Sequence, residues 1–162
     1  AERYWNINAI TGIELTNNPA KSINNMAREA KELGARMVVA HGESIVESIE
    51  PGTNLEAVKS EYIDLLAHPG IFTLEEAKIA AQNGIFVEIS SRDGHSLTNG
   101  VVANVGREAG VKFLINSDAH SHNDLFKSDM QERVGLGSGL KKDEVEEIFN
   151  KNYKEFLKRI GC

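Results

Sequence analysis

The chain has 162 residues, a length typical of one domain. Its 41% hydrophobic and 26% charged residues suffice for a packed core and exclude a disordered protein. The net charge of −6 argues against nucleic acid or an anionic membrane as a partner, because both bind basic surfaces. It does not exclude an anionic substrate, since bound metal ions can supply local positive charge.

Segments that direct a protein into a membrane or out of the cell are not expected in this chain. No apolar run approaches the length of a membrane span, and residues 1–10 lack the features of a signal peptide. The only cysteine is Cys162, which excludes a disulfide framework and fits the reducing cytoplasm, where we expect the protein to act. The chain does not begin with methionine, so we expect either processing or a piece of a longer protein.

Apolar runs and amphipathic segments alternate along the chain. In order, they predict a helix tail (1–8), a strand (9–15), a helix (21–33), a strand (36–40), a helix (54–60), a strand (62–67), a helix (73–82), a strand (85–89), a helix (99–109), a strand (111–115), a helix (125–133), a glycine-rich connection (134–140) and one or two terminal helices (141–160). Thr73 and Glu76 have the spacing of a capping box. Strands that alternate with helices about every 25 to 30 residues are typical of βαβ units, so we expect an α/β fold with a parallel sheet.

Residues that can bind metal follow four of the five predicted strands. The first strand ends at Glu14. His41 follows the second strand and lies 27 residues after Glu14, and His68 follows the third strand and lies 27 residues after His41. Asp118 and His120 follow the fifth strand. The carboxyl ends of parallel strands lie on one face of the sheet, so these side chains should converge. Mixed nitrogen and oxygen donors suit Zn, Mn or Fe, although a polar loop after each strand is the simpler alternative.

Four short motifs resemble the PHP family, which is named for its polymerase and histidinol-phosphatase members. They are GIE at 12–14, VVAHGE at 38–43, DLLAHPG at 64–70 and NSDAH at 116–120, in the order and spacing of that family. The resemblance implies a distorted (β/α) barrel that binds up to three metal ions and hydrolyses phosphate esters.

The same resemblance implies a role for each candidate ligand. Glu14 would bridge two metal ions, and His41 and His68 would share the first of them with it. Asp118 would join Glu14 on the second ion, and His120 would belong to a third. We therefore expect one to three divalent ions as cofactors.

The chain departs from the family at its start. Family members open with a His-x-His strand end and a second strand that ends in Asp-His, and neither motif is present here. At roughly 30 residues per βα unit, about two units are absent. We therefore expect residues 1–162 to form a single PHP-like domain, an incomplete (β/α) barrel with mostly parallel strands that covers the C-terminal two-thirds of the family's barrel. Its exposed sheet edge would need a second copy of the chain or an N-terminal fragment to cover it.

The loop SSRDGHSLT, after the fourth predicted strand, carries two candidate catalytic residues. Arg92 can bind a phosphate group through two parallel hydrogen bonds, and a surface ion pair with Asp93 is the alternative. His95 can contact the substrate or act as a general acid. A loop histidine without a catalytic role is an equal alternative.

These features together predict a metal-dependent phosphoesterase that hydrolyses a small phosphate monoester through a metal-activated water. An acidic chain offers no basic track for a polynucleotide, which favours a small phosphorylated substrate. Two alternatives stay open. One is a metal-binding fragment or assembly subunit without turnover, and the other is an amidohydrolase-type deaminase, which also places histidines and an aspartate at barrel strand ends.

Overall fold

Five parallel strands form the centre of the molecule in the computed structural model, which describes residues 7–127 and 129–162. The strands are β1 (Gly12–Leu15), β2 (Met37–His41), β3 (Leu65–Ala67), β4 (Phe86–Ser90) and β5 (Phe113–Asn116). Their order in the sheet follows their order in the chain, and each pair of neighbours is parallel. The predicted α/β fold with a parallel sheet is therefore confirmed, and the sheet is open.

Seven α-helices connect or follow the strands in the described residues. They are α1 (Ile23–Glu32), α2 (Thr53–Lys59), α3 (Leu74–Asn83), α4 (Asn99–Ala109), α5 (Met130–Gly137), α6 (Lys142–Glu147) and α7 (Tyr153–Arg159), with a π-helical turn over Ile148–Asn152 between the last two. Short 3-10 turns occupy Ala20–Ser22, His95–Thr98 and His122–Asp124. No helix in these two ranges is long and apolar enough to cross a bilayer.

The largest difference from the predicted elements concerns α5. This helix begins at Met130 and continues to Gly137, so it includes residues that the glycine pattern assigned to a connection. Gly135 explains the difference, because a Cβ atom there would lie 2.8 Å from Ile115 Cδ1 and 2.9 Å from Val145 Cγ2. The glycine allows the helix to pack closely on the sheet. Most of the predicted helix tail at 1–8 lies outside the described residues.

Two layers of apolar side chains cover the two faces of the sheet. On one face, helices α1 to α4 contribute small buried residues that let them approach the strands closely, including Ala27, Ala57, Ala77 and Ala103. On the other face, strand residues pack against Phe156 and Ile160 at the end of the chain. The rings of Phe86 and Phe156 meet edge to face with centroids 5.1 Å apart. Burying a side chain of this size stabilises the fold by about 1.5–3 kcal/mol.

Side chains rather than a further strand complete the outer edge of β5. Asn152 Nδ2 donates to the Phe113 carbonyl at 3.0 Å, and Gln131 Nε2 donates to the Ile115 carbonyl at 2.7 Å. The Ile115 N–H donates to the Tyr153 hydroxyl at 3.2 Å, so the edge groups are paired. At the opposite edge of the sheet, β1 pairs with β2, and no other strand in the described residues pairs with it. Cover for that edge by a second copy or an N-terminal fragment stays a prediction.

A buried carboxylate organises the amino end of the sheet. Asp64, just before β3, accepts a hydrogen bond from the Val38 N–H at 2.8 Å. It also pairs with Lys31 Nζ at 2.6 Å and with Arg159 Nε at 3.2 Å. These contacts attach α1 and α7 to the sheet at the end opposite the loops described next.

Candidate metal centre

Three buried histidines meet at the carboxyl end of the sheet. His41 ends β2, His68 follows β3 and His95 lies in the 3-10 turn after β4. Each offers one ring nitrogen, and these atoms lie within 4.8 Å of one another. The rings of His68 and His95 stack with centroids 4.0 Å apart, and the His41 ring meets that of His68 edge to face at 4.3 Å. Sequence reasoning had considered His95 for substrate contact and not as a neighbour of the other two.

Glycines allow the loops that carry these histidines to approach each other. A Cβ atom on Gly42 would lie 2.5 Å from the Ala67 carbonyl oxygen. One on Gly70, which has a φ of +68°, would lie 1.9 Å from the Glu43 carbonyl oxygen. The HG and HPG steps of the sequence therefore reflect close packing of two backbone segments behind the histidines.

Two candidate residues are held in strained backbone conformations. Apart from glycines, the described residues with positive φ are Asn17, His68 (31°) and Asp118 (46°). Such conformations cost roughly 1–3 kcal/mol and persist where the surrounding structure enforces them, often at functional sites. Here they direct two side chains at strand ends toward one space.

The hydrogen bonds on Nδ1 determine what the histidines present to that space. His41 Nδ1 lies 2.9 Å from the Gly42 carbonyl oxygen, which can only accept, so Nδ1 carries the proton. His68 Nδ1 donates in the same way to Glu88 Oε2 at 2.8 Å. His95 Nδ1 lies 2.7 Å from the Ser44 hydroxyl, which can donate or accept. In their neutral forms, His41 and His68 therefore present an Nε2 lone pair.

Carboxylate oxygens lie near the Nε2 atoms of all three histidines. Glu47 Oε2 lies 2.9 Å from His41 Nε2, and Glu14 Oε1 lies 3.8 Å from His68 Nε2. Asp118 Oδ2 lies 3.7 Å from His95 Nε2. Lone pairs facing carboxylate oxygens repel unless a proton or a metal ion lies between them.

His68 Nε2 is the clearest case, because it is buried and has no hydrogen-bond partner in the part of the chain that the structure describes. A buried polar atom without a partner needs an explanation, such as a catalytic role or a bound water or ion. Three imidazole nitrogens and three carboxylates, on Glu14, Glu47 and Asp118, form a mixed donor set that suits Zn, Mn or Fe. These residues therefore fit a divalent metal ion.

Burial is the largest influence on the pKa of each titratable group in the cluster whose pKa is shifted. Burial raises the pKa of the Glu14 carboxyl, although the nearby His68 and His41 oppose this. Burial lowers the pKa of His68, but the hydrogen bond and negative charge of Glu88 outweigh it, so the pKa is raised. Burial and then the charge of His68 lower the pKa of His95. Metal binding requires the neutral form of His68, so a raised pKa makes metal binding at this residue compete with a proton.

Arg92 and His120 form a second group at the outer side of Asp118. Arg92 Nε lies 3.3 Å from Asp118 Oδ2, and its Nη1 donates to the Asp118 carbonyl at 3.2 Å. The same Nη1 lies 2.7 Å from His120 Nδ1, which also lies 2.9 Å from the Asp118 carbonyl oxygen. The His120 side chain is 64% exposed, and the structure does not bring it into the histidine cluster.

Two cavities share a wall at this second group. A small cavity of about 140 Å³ is lined by the candidate metal-binding residues Glu14, His41, Glu47, His95 and Asp118 together with Thr16, Arg92 and His120. A larger groove of about 710 Å³ adjoins it through Arg92 and His120. The groove has the volume of a small-molecule site and contains both charged and apolar residues, among them Lys127, Arg133 and Phe126.

Sequence reasoning missed Glu47 and Ser44, because neither lies directly at a strand end. Both lie in the long loop between β2 and α2. Glu88, inside β4, was not among the predicted site residues either, and its Oε2 accepts from His68 Nδ1. The loop's contacts with His95 depend on its tertiary fold, for which the sequence carries no local signal.

The chain is similar in sequence to several curated proteins, although no protein-family model matches it. It is 51% identical to an uncharacterized protein of Methanocaldococcus jannaschii over 160 residues, which are 98% of this chain and 73% of that protein. It is 31% identical to a probable phosphatase of Thermoanaerobacter sp. over 115 residues, 64% of this chain and 47% of that protein. A probable phosphatase of Caldanaerobacter subterraneus is 28% identical over 132 residues, 71% of this chain and 52% of that protein. The chain thus spans about half the length of these probable phosphatases.

Solved structures with a similar fold are larger than this chain. A crystal structure of an uncharacterized protein aligns with a TM-score of 0.57 at 13% identity, over 89% of this chain and 49% of that one. A crystal structure of an amidohydrolase aligns with a TM-score of 0.56 at 13% identity, over 90% of this chain and 48% of that one. At this identity the likeness concerns the fold alone.

Proposed function

Because the chain belongs to the same family as the uncharacterized Methanocaldococcus jannaschii protein and is similar over shorter stretches to probable phosphatases, we propose that it is a metal-dependent phosphoesterase. Its substrate would be a small phosphate monoester. We also propose that residues 1–162 are one domain, an incomplete barrel of the PHP type, and that the protein acts in the cytoplasm. The four motifs that contain Glu14, His41, His68 and Asp118 support the PHP assignment.

One observation supports the metal-dependent activity most directly. Three carboxylates and the imidazoles of His41 and His95 line one small cavity, and the buried Nε2 of the neighbouring His68 has no hydrogen-bond partner among the described residues. Such a concentration of carboxylate oxygens and imidazole lone pairs favours a cation. Because the small cavity opens beside a larger groove, a substrate could place its phosphate near the metal and its organic part in the groove.

The residues then divide into those that hold metal and those that hold phosphate. Glu14, His41 and His68 would bind one divalent ion, with Asp118 available for a second. A divalent ion bound there supplies the Lewis acidity that makes water a nucleophile near neutral pH. Glu88 fixes the ring of His68 through its Nδ1–H at 2.8 Å.

Arg92 would bind the phosphate oxygens from the wall between the two cavities. A guanidinium matches the geometry of a phosphate group and stabilises the charge of its equatorial oxygens. His95 is buried against His68, and its pKa is lowered mainly by burial. A neutral imidazole in this position is better suited to bind metal than to donate a proton. His120 faces Arg92 and would help to position it.

The proposal is tested on protein freed of metal with a chelator and then reloaded with Zn, Mn or Fe. We expect hydrolysis of p-nitrophenyl phosphate to depend on the added metal and to be abolished in both His41→Ala and Asp118→Ala. His122→Ala is the matched control, because this exposed histidine lies close in sequence and outside the cluster. Activity that survives both substitutions would refute the site. Metal bound without turnover on a panel of phosphomonoesters would favour the non-catalytic alternative.

A further inference from the structure

We propose that Glu47 is a further metal ligand, which the loop between β2 and α2 brings to the proposed ion at His41, beside His95. The inference rests on the proposed metal site and adds to it a residue outside the strand ends. It makes the loop part of the metal centre.

The two oxygens of one carboxylate reach two different histidines. Glu47 Oε2 lies 2.9 Å from His41 Nε2, and Glu47 Oε1 lies 3.5 Å from His95 Nε2. Two donor atoms that each lie about 2.1 Å from one zinc ion are about 3.4 Å apart at the tetrahedral angle. The observed separations are therefore of the size expected for ligands that share an ion.

A neutral His41 ring cannot form a hydrogen bond with Glu47, because its proton is on the other nitrogen. The Nδ1–H of His41 is directed at the Gly42 carbonyl, so the neutral ring offers Glu47 a lone pair and not a proton. A carboxylate oxygen at 2.9 Å from that lone pair needs a cation nearby. The neighbouring His68 Nε2 is buried and without a partner among the described atoms, which indicates that the shared cation is a metal ion and not only a proton on His41.

Contacts at both ends hold the loop in position. The Glu43 carboxylate accepts from the N–H groups of Gly52 and Asn54 at 2.9 and 3.0 Å, which ties the start of the loop to its end. The buried Ser44 hydroxyl contacts His95 Nδ1 at 2.7 Å. Glu47 therefore lies on a loop that is held at both ends. Two residues of this loop, Ser44 and Glu47, contact the two nitrogens of the His95 ring. With 41% of its side chain exposed, Glu47 lies at the rim of the cavity, where an ion would enter.

The test measures metal binding rather than activity. Zn²⁺ affinity is determined by competition with a chromogenic chelator, and Co²⁺ loading gives visible absorption bands that report the number and type of ligands. In Glu47→Gln we expect the Zn²⁺ dissociation constant to rise by about 100-fold and the Co²⁺ bands to change in position and intensity. Glu47→Asp, which keeps the charge but withdraws the carboxylate, should also weaken binding. Glu61→Gln is the control, because it removes the same charge from an exposed turn before β3.

The outcomes separate this inference from the proposed function. If the wild-type protein binds no metal, or His68→Ala binds as tightly as wild type, the proposed metal site itself fails. If wild type binds metal and His68→Ala does not, but Glu47→Gln keeps the wild-type affinity and Co²⁺ spectrum, Glu47 is not a ligand and only the inference is overturned. Unchanged metal affinity with a lower kcat in Glu47→Gln would also overturn it, since Glu47 would then act on the substrate. Circular dichroism melts confirm that each variant is folded.

Discussion

Replacing Glu88 with glutamine should weaken metal binding while the protein stays folded. Glu88 is 4% exposed and lies behind His68. Its Oε2 accepts from the His68 ring Nδ1–H at 2.8 Å and from the His68 backbone N–H at 3.2 Å, and its Oε1 accepts from Asn116 Nδ2 at 3.1 Å. Glutamine preserves the shape of the side chain but removes its charge and turns one acceptor into a donor.

The magnitude follows from the change in these hydrogen bonds. A hydrogen bond to a charged acceptor contributes about 1.5–3 kcal/mol, against about 0.5–1.5 kcal/mol for a neutral pair. Two such bonds on His68 imply a loss of roughly 2 kcal/mol in the free energy of unfolding. Because Glu88 also orients His68 and makes its Nε2 more basic, we expect the Zn²⁺ dissociation constant to rise by about 10- to 100-fold.

Competition titration with a chromogenic chelator measures the affinity, and urea unfolding of the metal-free protein measures the stability. Asp64→Asn is the matched control, because Asp64 is a buried carboxylate with comparable partners at the other end of the sheet. It should lose stability and keep its metal affinity once folded. Equal affinities in wild type and Glu88→Gln would refute the role of Glu88 in positioning His68.

Three further predictions concern other parts of the structure. Burial raises the pKa of Tyr153 to about 12, whereas the tyrosine of the unfolded chain ionises at about pH 10. Its contribution to stability is therefore complete below pH 10 and is lost as the pH rises toward 12. Urea unfolding between pH 9 and 12 should show a loss of about 2 kcal/mol in the free energy of unfolding that is missing in Tyr153→Phe. Arg92→Lys should raise KM for a phosphomonoester about tenfold, because an ammonium cannot form the paired hydrogen bonds of a guanidinium; an unchanged KM would remove Arg92 from the phosphate site. Gly70→Ala should lower the melting temperature far more than Gly34→Ala, because both glycines have positive φ but only a Cβ on Gly70 meets backbone, 1.9 Å from the Glu43 carbonyl oxygen. Equal melting temperatures in the two alanine variants would contradict the close approach of the two loops.

Local patterns predicted the elements well where local interactions decide them. The structure has α4 at Asn99–Ala109, the predicted bounds, and Thr73 with Glu76 forms the expected capping box at the start of α3. The glycine-rich segment was predicted wrongly as a connection throughout, since α5 continues to Gly137. Gly135 is helical there because the helix packs closely on Ile115 and Val145, a tertiary contact that outweighs the low helix propensity of glycine.

For the candidate site, the sequence by itself determined which strand ends carry ligand-type residues. Glu14 and His41 lie at the ends of β1 and β2, and His68 and Asp118 come just after β3 and β5. Parallel strands place all their carboxyl ends at one edge of the sheet. That geometry is a property of the backbone topology, so it can be derived from hydrophobic periodicity alone.

Only the tertiary structure decided which loop residues complete the cluster. It places His95 against His68, brings Glu47 to His41 and His95, and turns His120 outward to Arg92. The conformation of a long loop depends on contacts between residues far apart in the chain. No local pattern records those contacts, so the sequence alone cannot show where such side chains point.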